Sequence, residues 1–261
     1  EDTAHQQGSH WRGRGAGSIG DAGSFSFQQS KILTCGEGGA VTCNDEEVYR
    51  TIFALKQVGW MPNPAEPFVP GAAPKLISGR KYCHNYRITE MQAVLLRGGL
   101  ARIGEQTRLR EENSAFLSEK LGSMGGPLRA ARRDSRVTRQ AYYAMTFHFD
   151  PAKAQGLTRT QYRQALGVEG IGFVTTYPPV YRSPLMNLYD GTSPIPFRDP
   201  AVTQNYATLK LPNVERAVEE TALLLMHQHL LGSREYMEQI IDAVAKVNDN
   251  LAAIRENYPK A

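Results

Sequence analysis

The feature that most restricts this chain is a helical pattern running from Thr89 to Leu121. Met91, Val94, Leu95, Leu100 and Ile103 recur at helical spacing. The pattern resumes through Arg108, Arg110, Phe116 and Leu121, then stops at Gly122 and Gly125-Gly126. Thr89 followed by Glu90 is a start signal, and Gly98-Gly99 is a weak spot inside the run. Such a helix predicts a connection between two domains, and 261 residues suffice for two cores.

Before that helix the chain is rich in glycine and small residues. Gly13, Gly15, Gly17, Gly20 and Gly23 mark turns or close backbone approaches. Ser24-Phe25-Ser26-Phe27 alternates like a short strand, and Gly38 to Cys43 predicts a turn into a buried strand. Asn44-Asp45 then caps a helix with Val48, Ile52 and Leu55 on one face and Tyr49 and Phe53 beside it. Residues 59–82 carry Pro62, Pro64, Pro67, Pro70 and Pro74 and predict a long functional loop, a lid or an interface arm.

The second half predicts a small α+β unit. Ala141 to Phe149 is a strand in which Tyr143, Met145 and Phe147 alternate. Thr158 caps a helix through Leu166, Gly172 to Tyr177 is a further strand, and Leu223 to Met226 is a short apolar piece. Ser233 caps a final helix with Met237, Ile240, Ile241, Val244 and Val247 on its core face.

Composition excludes several classes. Hydrophobic residues make up 41% and charged residues 21%, as in ordinary globular proteins. The 30 basic residues barely outnumber the 26 acidic ones, and the cluster Arg129, Arg132, Arg133 suits a solvated loop better than a nucleic-acid surface. Three cysteines, Cys35, Cys43 and Cys83, are too few and too irregular for a disulfide framework or a zinc site, so a reducing, cytoplasmic setting is expected. No apolar run has the length of a membrane span, and no signal peptide is visible. The chain opens at Glu1 without Met, as though cut from something longer.

The candidate chemistry centres on Lys31. A lysine forms imines with carbonyls once burial or neighbouring cations favour its neutral amine. Lys31 follows a short strand, precedes a glycine-rich turn, and has serines and glutamines rather than acids before it. Read alone, it is more readily a surface lysine in a loop. A carboxylate such as Asp2, if buried against a pyridine nitrogen, keeps that nitrogen protonated and makes the ring an electron sink; spacing alone favours an acid with no role. Ser26 and the glycine-rich backbone can bind a phosphate. Asn85 and Arg87, just ahead of a helix N-terminus, suit an anion or simply form a capping loop.

Together these residues are more specific than singly. The succession Glu1-Asp2-Thr3-Ala4-His5, Gly17-Ser18-Ile19-Gly20-Asp21-Ala22-Gly23, Phe25-Ser26-Phe27-Gln28-Gln29-Ser30-Lys31, Gly36-Glu37-Gly38-Gly39-Ala40-Val41 and Asn85-Tyr86-Arg87-Ile88-Thr89-Glu90-Met91 closely resembles the DegT/DnrJ/EryC1/StrS family. The likeness is strong over roughly residues 1–120 and weaker beyond, where Tyr177-Pro178-Pro179 and His227 to Gly232 sit in familiar places.

The resemblance implies an α/β chain of the fold-type-I, aspartate aminotransferase-like class. Residues 1–105 would be the C-terminal part of a large cofactor-binding domain with a mostly parallel sheet, and residues 106–261 a small α+β domain. It implies pyridoxal 5'-phosphate as cofactor and no metal, with Lys31 forming the Schiff base and moving the substrate proton. Asp2 would face the ring nitrogen, His5 the phenolic oxygen, and Ser26 the phosphate. Asn85 would reach the phosphate of a neighbouring subunit, hence a homodimer, with Arg87 near it. Tyr177 and Tyr181 are weaker candidates for the substrate pocket. The string around Lys31 with Tyr177 to Arg182 looks like the glutamine:scyllo-inosose aminotransferases. The expected reaction is transamination of a keto group on a cyclitol or sugar, with glutamine or glutamate as donor. A non-catalytic regulator on the same fold is the alternative. Family members begin well upstream of Glu1, so the chain alone is expected to bind the cofactor weakly. No nucleic-acid or membrane partner is implied.

Overall fold

The computed structural model describes residues 1–67, 69, 71–79, 82–186 and 206–257. The chain divides into two compact units, Glu1–Glu111 with Arg133–Tyr143, and Glu112–Arg132 with Ala144–Ala261. The sequence reading placed residues 133–143 with the second domain. They lie instead in the first unit, because their strand pairs there with residues near the N-terminus.

In the first unit β1 (His10–Trp11) and β2 (Arg14–Gly15) form a small antiparallel sheet that takes in Val137–Arg139 from much later in the chain. Next, β3 (Ala22–Ser26) and β4 (Gly39–Cys43) pair antiparallel, from Ala22 opposite Cys43 to Ser26 opposite Gly39. The N-terminal residues run alongside β3 through a parallel bridge between Asp2 and Ser24. Helix α1 (Glu46–Lys56) begins where the Asp45 side chain accepts from the Val48 N–H. The proline-rich segment after it is not loop throughout: β5 (Trp60–Pro62) pairs with β6 (Leu76–Ser78).

Helix α2 (Glu90–Met124) is unbroken through Gly98-Gly99. Its start is a reciprocal cap, in which Gln92 Oε1 accepts from the Thr89 N–H at 2.7 Å and Thr89 Oγ1 accepts from the Gln92 N–H at 3.3 Å. It ends at Gly125, whose φ of 71° stops helical propagation. The N-terminal half presents Leu96 and Ile103 to a core formed with Leu33, Cys35 and Phe27. Met91, Val94, Leu95 and Leu100, at helical spacing in the sequence, are more than half exposed and lie outside that core. On α1, too, the apolar Val48 and Leu55 are exposed, and Ala54 is the buried residue. Periodicity marks an apolar stripe without saying what covers it.

The second unit is built on an antiparallel sheet, β7 (Leu128–Ala130) and β10 (Ala222–Met226) flanking β9 (Ala144–Phe149), with β8 being the Val137–Arg139 strand above. Met145, Phe147 and Phe149 alternate inward on β9, as the sequence predicts. Helix α3 (Arg159–Val168) opens with a capping box between Thr158 and Gln161. The expected strand at 172–177 is reduced to a bridge between Val174 and Leu224. After the short α4 (Pro212–Arg216), Ser233 caps α5 (Arg234–Asp249), which buries Met237, Ile240, Ala243, Val244 and Val247. Buried Asn113 of α2 donates to the Leu230 and Gly232 carbonyls at 3.0 and 2.9 Å. No helix among the described residues is long and apolar enough to cross a membrane.

The mostly parallel sheet expected for the first domain is not seen. Among the described residues every strand ladder is antiparallel, and the parallel step is the Asp2–Ser24 bridge. The connection from β3 to β4 returns directly, whereas parallel neighbours need a long crossover.

One glycine pair fixes how the N-terminal turns meet β3. A Cβ on Gly23 would lie 2.5 Å from the Gly17 Cα and 2.9 Å from its carbonyl oxygen, backbone atoms that cannot step aside. Gly23→Ala is therefore expected to destabilise the chain by about 1–3 kcal/mol, as overpacking does. Urea unfolding checks this, and an unchanged midpoint contradicts it.

Candidate active site

Residues 27–38, between β3 and β4, carry Lys31. The loop is closed by its own backbone, with the Phe27 N–H donating to Gly38 O at 2.8 Å and the Cys35 N–H to Phe27 O at 3.1 Å. At its tip the Lys31 N–H donates to Gln28 O at 2.9 Å, while Gln28 Oε1 accepts from both the N–H and the hydroxyl of Ser30 at 2.8 and 2.7 Å. The far side of the loop is anchored on α2. Leu33 and Cys35 are buried against Leu96, and Gln92 Nε2 donates to Glu37 O at 2.6 Å. Gly99 permits the contact, because a Cβ there would stand 2.5 Å from Leu33 Cδ1. The apparent weak spot of the helix is thus the place where the lysine loop sits down.

The Lys31 side chain is half-buried, with Nζ 5.0 Å from the centre of the Tyr143 ring. The same ring stacks on the His5 imidazole, 3.8 Å between centroids and 2° between planes. Tyr143 Oη lies 3.2 Å from Ser30 Oγ. Since Ser30 gives its proton to Gln28, its oxygen accepts from Tyr143.

Burial pushes the His5 imidazole below its usual pKa, the Lys31 charge adds to this, and Asp2 opposes it. Lys31, His5 and Asp2 therefore share one electrostatic neighbourhood. His5 is held there by buried Gln7, whose Nε2 donates to Ala4 O at 3.1 Å and to Ser26 O at 2.7 Å. Gln7 Oε1 is buried and has no hydrogen-bond partner among the described residues. Asp2 follows from the β3 pairing, with Ser24 N–H donating to Glu1 O and Thr3 N–H to Ser24 O, both at 2.9 Å. Its carboxylate accepts from the Ala4 N–H at 3.1 Å, and Asp2 is exposed, so the burial that a role at a ring nitrogen calls for is not met within this chain. Ser26 Oγ accepts from the Gln28 N–H at 3.3 Å.

Other expected residues stand elsewhere. Asn85 and Arg87 are exposed beside the end of α1, where Asn85 bridges to Gln57 and accepts from the Arg87 N–H at 3.4 Å. Burial, then the Arg87 charge, pushes the nearby Lys56 ammonium below its usual pKa. Tyr177 and Tyr181 belong to the second unit. Tyr177 is exposed, while the buried Tyr181 phenol donates to Glu215 at 2.7 Å.

Tyr143 is the residue at this site that sequence reasoning missed. Its alternation with Met145 and Phe147 gave it the look of a strand position, and 113 positions separate it from Ser30.

Residues 1–245 match the pattern of the DegT/DnrJ/EryC1/StrS aminotransferase family. The chain belongs to this family. Its fold is the fold-type-I class of the family's solved members: a crystal structure of an aminotransferase from Psychrobacter cryohalolentis superposes with a TM-score of 0.76 at 26% identity, covering 97% of this chain and 62% of that one. A provisionally assigned L-glutamine:3-amino-2,3-dideoxy-scyllo-inosose aminotransferase of Micromonospora echinospora is 35% identical over 98% of this chain and 60% of its own length. The L-glutamine:2-deoxy-scyllo-inosose aminotransferase of Streptoalloteichus tenebrarius is 32% identical over 95% of this chain and 58% of its own. The chain thus spans about 60% of the length of these curated relatives.

The donor set fits the family's cofactor, pyridoxal 5'-phosphate, at one end. It offers a half-buried lysine and an exposed carboxylate, both acting on the His5 imidazole, groups of the kind that cofactor's chemistry uses.

Native His5 holds its proton less tightly than the unfolded chain does. Its contribution to stability is complete above the ordinary imidazole pKa of 6.5 and shrinks as pH falls through that range. By NMR titration, Asp2→Asn is expected to move the His5 midpoint further down and Lys31→Met to move it up. Midpoints that ignore both substitutions contradict the shared neighbourhood.

Proposed function

We propose that this chain is the lysine-bearing part of a pyridoxal-phosphate-dependent aminotransferase that transfers the amino group of glutamine to a ketone on a cyclitol of the scyllo-inosose kind. The observation that carries this reading is half-buried Lys31, on a loop anchored to α2, within electrostatic reach of the His5 imidazole, which Asp2 also influences. The names borne by the relatives support the choice of donor and acceptor.

When bound, pyridoxal phosphate supplies an electron sink for the pair left on the substrate carbon as its proton departs. In this reading Lys31 would hold the cofactor, and its amine would take the proton from the substrate carbon and return it. Asp2 would face the ring nitrogen and His5 the phenolic oxygen. Ser26 Oγ, which accepts from the Gln28 N–H, would meet the phosphate. Over two half-reactions an amino group is exchanged for a carbonyl oxygen, so no external oxidant is needed.

The exposed Asn85 and Arg87 would then serve the site of a second copy, making the working unit a homodimer. Tyr177, which is exposed, and Tyr181, whose hydroxyl donates to Glu215, are the candidates for contacting the substrate. Free Cys35, Cys43 and Cys83 suit a cytoplasmic setting.

In the parent protein, glutamine with scyllo-inosose is expected to yield amino-inositol. Lys31→Ala is expected to abolish turnover while circular dichroism stays unchanged. Turnover that survives Lys31→Ala contradicts the assignment.

A further inference from the structure

We infer that Tyr143 is a positioning residue that holds the Lys31 amine where it meets the cofactor aldehyde, an inference that rests on the reading of Lys31 given above. A lysine side chain left to itself samples many rotamers, and few of them bring Nζ to a given carbon. Two features of the structure remove that freedom. Nζ lies 5.0 Å from the Tyr143 ring centre, within range of attraction between an ammonium and an aromatic ring. The residue before Lys31 is tied to the same tyrosine through Ser30 Oγ and Tyr143 Oη.

A tyrosine serving only as filler would meet apolar neighbours. Tyr143 meets an imidazole, an ammonium and a hydroxyl, and its stack on His5 sets the plane of that ring as well. The segment that delivers it is itself fixed. Ala141 N–H donates to Ser9 Oγ and Gln140 N–H to Glu111 Oε1, both at 3.0 Å. Tyr142, directly before it, has φ of 53°, a left-handed backbone that a tyrosine seldom adopts. Such strain persists where the surroundings over-determine it, and it gathers at functional sites.

The test uses the 261-residue chain, with pyridoxal phosphate as probe and borohydride to trap it. The amine condenses with the aldehyde, water leaves, and hydride from borohydride reduces the new C=N bond. Peptide mass spectrometry then gives the rate at Lys31 relative to the other lysines of the same molecule, a ratio that a general loosening of the fold would not single out. Wild type is expected to favour Lys31. Tyr143→Leu is expected to lower that preference about tenfold, and Tyr143→Phe, which restores the ring, to recover most of it.

A wild-type chain that labels its lysines evenly overturns the reading of Lys31 itself. A selective wild type whose preference survives Tyr143→Leu overturns only the role of Tyr143. Should the leucine variant not fold, the wild type still decides: the Lys31 ε-methylene protons must resonate upfield under the ring current of Tyr143, and ordinary lysine positions overturn the inference.

Discussion

The contact between the lysine loop and α2 is the constraint on which the site depends. Leu33 and Cys35 on the loop meet Leu96 on the helix, and the missing Cβ of Gly99 lets Leu33 reach the helix surface. Gln92 adds a hydrogen bond to the Glu37 carbonyl. Burial of a leucine side chain contributes on the order of 2 kcal/mol, enough to hold a loop of this kind in one conformation. The direction in which Lys31 leaves the backbone follows from this anchorage rather than from anything lysine does itself.

The second layer of the site is polar and local. Gln28 uses its own carbonyl groups to shape the tip of the loop, and Gln7 ties the turn bearing His5 to the end of β3. Both glutamines act on backbone or on a neighbouring serine, so two separate segments arrive at fixed positions through hydrogen bonds. Tyr143 joins them, contacting His5 from one segment and Lys31 and Ser30 from the other. The electrostatics agree with this geometry. The imidazole is disfavoured as a cation first by burial and then by the lysine, and Asp2 offsets part of that.

Much of this was legible in the sequence, for reasons that differ by element. Caps were readable because the chemistry of Asp45, Thr89, Thr158 and Ser233 is local, and each starts a helix as expected. The inward face of β9 was readable because its partners on both sides belong to the same chain. The apolar stripe Met91, Val94, Leu95 and Leu100 misled, since it is exposed here and the covered positions are Leu96 and Ile103. A period of 3.6 gives the stripe, not its partner. Lys31, Asp2 and His5 are candidates the family resemblance nominated, and the family match spans residues 1–245. Tyr143 was not, because nothing local distinguishes a strand-like tyrosine from one that crosses to a lysine far earlier in the chain. The exposure of Asp2 was equally unreadable, since it depends on what covers the parallel bridge to Ser24.

The central claim is that one amine in this chain, that of Lys31, is placed to condense with an aldehyde. NMR of the chain labelled with 15N at the lysine side chains tests it most directly, with Lys31→Arg assigning the resonance. Addition of pyridoxal phosphate is predicted to move the Lys31 nitrogen alone into the imine region. If no nitrogen moves, or if another lysine's moves instead, the account is contradicted.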